Sequence, residues 1–187
     1  MTGQRDAGRV AATGYAVAGP TSEVVLAAVD YFLKIDGIQG ESLDSKHKGE
    51  IELESFSWGE TNATPAHPGS GAGAGRVQIQ DLHFVTRINK ASPTLMLSCA
   101  TGKHIKQAVL TARKAGKNQL EFLVFKFTDV LVSSYQTGGS AHGDDVPTDQ
   151  ISFNFGKIQL EYRPQKPDGS LDQPVTAGWD VQHNQPI

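Results

Sequence analysis

The chain has 187 residues, 38% of them apolar, with a formal charge of −3, which is enough for one well-cored domain and offers no basic surface for nucleic acid. Its single cysteine, Cys99, excludes an internal disulfide. The longest early apolar run, Val24–Val29, falls far short of the roughly 20 residues that span a bilayer and is short for a signal-peptide core. A protein made and folded in the cytoplasm is expected.

Residues 1–23 are rich in Gly, Ala and Thr, are broken by Gly19-Pro20, and sustain no periodicity. They predict a flexible extension, with at most a short helix over Glu23–Val29 that is marginal alone. Tyr31, Leu33 and Ile35 then alternate with Phe32 and Lys34, the pattern of a strand. Asp36–Glu50 follows, polar, charged and too long for a tight hairpin. Long connections inside compact domains tend to be functional arms or lids. The segment is read as a projecting arm that holds a neighbouring copy, so deleting Gly40–Lys48 is expected to leave the body folded.

Three later segments each change the parity of their apolar positions. Ile51 and Leu53 give way to Phe56 and Trp58. Val77 and Ile79 give way to Leu82, Phe84 and Ile88. Ile151, Phe153 and Phe155 give way to Ile158, Leu160 and Tyr162 across Gly156. A one-residue shift turns every later side chain to the other face, and a bulge produces it while bending the strand. Gly156 is the expected site of one such bulge. The pattern predicts a mainly β fold, a bent antiparallel barrel; the alternative is a sheet covered on both faces.

The connections and the helix are also marked. Thr61–Gly75 ends in GSGAGAG, but no Gly-Lys-Ser/Thr follows and a strand comes next, so it is read as a flexible loop and not a phosphate cradle. Ser92 suits an N-cap, Pro93 the first helical position and Gly102 a left-handed C-cap, with Leu95, Met96 and Cys99 as the buried stripe. His104–Lys114 fits a helix or a strand. Gln119–Val132, apolar on both faces, predicts one or two buried strands after a turn at Lys114–Asn118. Ser133–Asp149 is read as a polar loop, and Gly178–Val181 as a short edge strand.

No persuasive active site emerges. The six histidines are scattered and no thiolate cluster exists. His142 with Asp144 and Asp145 is the best cation constellation, yet charged loops of this kind are usually solvated. Ser140 beside His142 lacks the strand–Gly-x-Ser-x-Gly–helix context of a hydrolase. His83 suits a hydrogen-bonded structural role. Glu50, Glu52 and Glu54 form a period-2 row that reads as a wet face. No cofactor is expected. Two uses remain: assembly of copies through the arm, which closes into a ring if the rotation permits, and a small-ligand-binding β-barrel, which would need an internal cavity.

The run YFLKIDGIQGES with KHKGEIEL, then FSWG at 56–59, VQIQDLHFVTRINKASPTLMLSCATGKHI at 77–105, LTARKAG at 110–116, DVLVSSYQTGGS at 129–140, FNFGKIQLEYRPQKPDG at 153–169 and GWDVQHN at 178–184 resembles the haemolysin-coregulated protein (Hcp) family of type VI secretion. The resemblance implies a two-sheet antiparallel β-barrel with one flanking α-helix at Pro93–Thr101 and a long extended loop, and it favours a strand at Ile105–Lys114. It implies a structural tube subunit and not an enzyme. Such subunits form homohexameric rings that stack into a hollow tube, pushed out by a contractile sheath under a valine-glycine-repeat spike protein, with effector proteins carried in the lumen. The subunit would be assembled in the cytoplasm and secreted without a signal peptide. The loop would supply subunit and ring contacts from Gly37, Gly40, Glu41, Leu43, Asp44, Lys46, His47 and Lys48, and Ser42 would fall near the lumen. The resemblance begins near Ala28 and implies a domain at 28–187, so residues 1–27, a flexible extension, depart from the family pattern and put unhindered stacking in doubt.

Overall fold

The computed structural model describes residues 29–62, 77–115, 119–141 and 146–187. The readings placed on the extension 1–27, on most of the glycine-rich loop, on residues 116–118 and on His142, Asp144 and Asp145 lie outside them.

In chain order the elements are β1 (Val29–Ile35), β2 (Ile51–Leu53), β3 (Ser55–Ser57), β4 (Glu60–Asn62), β5 (Val77–Ile79), β6 (Leu82–Arg87), α1 (Ser92–Thr101), β7 (His104–Lys114), β8 (Glu121–Gly138), β9 (Thr148–Tyr162), β10 (Val175–Asp180) and β11 (Gln185–Pro186). Nine strands form one antiparallel sheet in the order β11-β10-β9-β8-β7-β1-β2, joined by β6 along β9 and by β3 along β6. The remaining two, β4 and β5, pair separately. The mainly β expectation with one helix holds among the described residues. The strands group as one large branched sheet and a small one, and this ladder by itself shows no closed barrel. The branching has a simple cause. The first half of β9 pairs with β6 and its second half with β10, while β8 pairs along both halves.

The parity change across Gly156 occurs by other means than expected, and of the apolar sets read from the sequence Ile88 and Tyr162 are exposed. Phe125 and Phe127 are buried before Asp129, and Val130 and Val132 after it; opposite, Phe153 and Phe155 give way to Ile158. The register is the same on both sides of Gly156. The turn-over is made instead by Asp129, which adopts a positive φ of 56°, with Gly156 packed so closely that an added Cβ would lie 3.2 Å from the Asp129 Cβ. The register shifts lie between Val132 and Ser134 and between Ala112 and Arg113. Phe84 against Phe153 at 5.0 Å and Phe127 against Phe155 at 4.9 Å fill the space enclosed by the sheet, with Leu33, Leu82, Leu95 and Leu110 around them.

Two element readings change. Ser92 opens the helix without capping it; the cap position is Ala91, and the Ser92 hydroxyl donates to the buried carboxylate of Asp149, which also accepts from the Tyr135 hydroxyl at 3.0 Å. Gly102 ends the helix in the left-handed conformation, as expected. Its buried positions are Ser92, Leu95 and Ser98, so Met96, 52% exposed, leaves the stripe and Cys99 is only half-buried. β7 settles as a strand, and β8 runs on through Ser133–Gly138, where a loop was expected, because those polar residues ladder with Thr148–Ser152.

Candidate functional site

β1 carries two kinds of residue. Tyr31, Leu33 and Ile35 turn to the core, while Phe32 sits on the opposite face beside Thr111 of β7 and is nevertheless buried. The cover is the segment that follows β1. Ile38 turns back against Ile35 and joins the core. The loop base is laced by the Gly40 amide donating to the Gly49 carbonyl at 2.8 Å, Ser42 to Glu50 at 3.0 Å and Gly49 to Ser42 at 2.8 Å. Gly40 passes so close to Glu50 that any Cβ would lie 2.2 Å from its carbonyl oxygen.

Asp44 shapes the tip. One carboxylate oxygen accepts from the amides of Lys46 at 2.9 Å and His47 at 3.2 Å, and the other accepts from Arg113 Nη1 at 2.8 Å. His47, 5% exposed, stacks on Phe32 with centroids 4.2 Å apart, and its Nδ1 lies 2.9 Å from Glu50. Arg113, 3% exposed, holds its guanidinium 4.7 Å over the same ring and places Nη2 3.0 Å from Asp30. Burial by itself raises the Asp44 carboxyl, but the amide of Lys46, the Arg113 guanidinium and the amide of His47 outweigh it and hold the group below its ordinary range. Burial likewise works against the charge on Arg113, and Asp30 with Asp44 more than restores it.

The projecting arm is thus corrected. The loop is stitched to its own body, because its apolar Ile38, its amides and the Asp44 carboxylate all find partners there. Of the expected contact residues, Gly40 and His47 are buried, Asp44 is half-buried, and Gly37, Glu41, Leu43, Lys46 and Lys48 are exposed. The Glu41 carboxylate accepts from the Lys90 amide at 3.0 Å. Leu43 stands out at 90% exposed. Ser42, expected near a lumen, is 4% exposed and donates to Glu52 at 2.7 Å. The row Glu50, Glu52, Glu54 is a wet face only in part, since each has a partner: His47, Ser42 and Arg87. His83 carries the expected structural hydrogen bond, to Ser152 at 2.6 Å.

Arg113, Asp30 and Phe32 were not singled out from the sequence. The available signal was Phe32 itself: a large aromatic on the polar side of an alternating strand announces that something covers that face.

Residues 32–162 match the family described as "Type VI secretion system effector, Hcp", a span that takes in most of the loop's anchorage and the sheet up to Tyr162. The chain belongs to the Hcp family. It is 47% identical over 159 residues to protein hcp1 of Pseudomonas aeruginosa, covering 84% of this chain and 98% of that one. It superposes on a crystal structure of Hcp1 from Salmonella typhimurium with a TM-score of 0.71 at 41% identity, over 86% of this chain and 99% of the other. A structure of a type six secretion system protein gives a TM-score of 0.81 at 31% identity, over 86% and 100%. As an Hcp protein the chain is a type VI secretion tube protein, and the small-ligand barrel finds no support among these relatives. No helix among the described residues is long and apolar enough to cross a membrane.

Proposed function

We propose that this Hcp chain works as a structural, secreted subunit: copies close into a hexameric ring, the rings stack into a hollow tube, and the tube carries effector proteins with no bond-making chemistry of its own. Its partners are further copies of itself, a valine-glycine-repeat spike protein, sheath components and secreted effectors. Residues 28–187 form the ring-building domain, with 1–27 as an extension outside it. The extended loop supplies contacts between copies through Gly37, Glu41, Leu43, Lys46 and Lys48, while Gly40, Asp44 and His47 hold its shape and Ser42 lies toward the lumen.

The observation that carries this reading is a rigid loop with a fully presented leucine. Leu43, 90% exposed, rides on a loop whose base and tip are fixed by hydrogen bonds and ion pairs. A preordered apolar knob loses little entropy on docking. The same chain also has the means to close a barrel of two sheets. β2 pairs with β1 and β3, directly after it, pairs with β6, so the path β1-β2/β3-β6-β9-β8-β7-β1 returns to its start. A closed barrel leaves a rigid wall from which ring contacts project.

Light scattering on the purified chain tests the proposal. A particle of about six times the 20.0 kDa chain mass supports it, and one chain at every concentration rejects it.

A further inference from the structure

We propose that Arg113 is the positioning residue of the assembly loop, acting through Asp44 from a strand to which the loop is not joined in sequence. The inference rests on reading the loop as a ring contact and adds what sets its presented shape. The hydrogen bonds among Gly40, Ser42, Gly49 and Glu50 close only the base of the loop. The tip depends on Asp44, whose oxygen organises the amides of Lys46 and His47. Asp44 in turn is fixed by Arg113 Nη1, while Nη2 is fixed on Asp30 near the start of β1. One planar guanidinium therefore bridges two carboxylates that would otherwise repel across the sheet face, a geometry a lysine ammonium does not reproduce.

Arg113 is not core filling. Its side chain lies on the face away from the main apolar cluster, over Phe32, and its buried Nε has no partner among the described residues. Its two carboxylate contacts go to Asp44, the neighbour of Leu43, and to Asp30.

Trypsin cleavage after Lys46 and Lys48 on dilute protein tests this, with assembled mass read in parallel. Asp44→Asn and Arg113→Met should each speed cleavage about tenfold or more, as expected when one partner of a buried pair is lost. The double variant should be no faster than the faster single, since both remove the same contact. Arg113→Lys should not restore the slow rate, and the assembled fraction should fall in step. Asp44→Asn keeps the Arg113–Asp30 pair, so it remains informative if Arg113→Met does not fold. Wild-type cleavage in Asp44→Asn, or additive rates in the double variant, overturns the proposal. Faster cleavage with unchanged ring mass would leave Arg113 as the positioning residue and reject the ring-contact reading instead.

Discussion

At Gly40 one methyl group decides whether the loop can close. The position faces the Glu50 backbone, which has no rotamer with which to yield, and an added Cβ would sit 2.2 Å from its carbonyl oxygen. Gly40→Ala is expected to cost about 1–3 kcal/mol, the range for overpacking a tight site, measured by urea unfolding; an unchanged midpoint would mean that the loop base shifts freely. Asp44 sets the acid limit of the same loop. Because its carboxyl is held below the ordinary value of 3.8, its contribution is fully present above that value and disappears as pH falls through the lowered one. Amide exchange of Ser42 and Gly49, corrected for intrinsic rate, should stay protected from neutral pH down to that range and open below it. Opening already near neutral pH would mean that Asp44 does not hold the loop. Single residues were also where sequence reading fell short. Ser92 had every mark of an N-cap, but Asp149, 57 residues later, takes its hydroxyl, and no local pattern reports so distant a partner.

Among the elements, β1 and the buried part of β8 were legible from their apolar pattern, and the helix from Pro93 and the left-handed Gly102 rather than from its apolar stripe. The turn-over near Gly156 was legible too, while its mechanism was not: the backbone change belongs to Asp129 on the partner strand, and parity within one strand does not say which member of a pair bends. β8 continues through Ser133–Gly138 because ladder partners, rather than composition, decide whether a polar run is a strand. The loop after β1 shows the reverse error. Its charge and glycine content suggested a free arm, yet the Asp44 carboxylate and the His47 ring are taken up by Arg113, Glu50 and the loop's own amides. Deleting Gly40–Lys48 should therefore uncover Phe32 and destabilise the body by about 1.5–3 kcal/mol, the worth of burying one large apolar side chain. Thermal unfolding is the check, and a variant as stable as the parent would restore the free-arm picture.

For the whole molecule, the physics of a tube protein is geometry: a stiff sheet, an exposed knob and copies that fit one another. The family was legible from the runs that carry the resemblance, and 131 of the residues, 32–162, lie within the matched family span. What a single chain did not disclose is which surfaces meet, because a contact between copies leaves only an exposed apolar side chain as its trace. Leu43→Asp should leave the chain's circular dichroism unchanged and weaken each contact by about 1.5–3 kcal/mol, the value of one buried leucine, so that rings dissociate at protein concentrations where the parent stays assembled. Retained assembly would move the contact away from the loop tip. The most direct measurement is sedimentation velocity on the wild-type chain, read together with negative-stain images of the same sample. A ring-forming subunit should give a single annular particle of about six chains; a compact single chain at every concentration would rule the ring out.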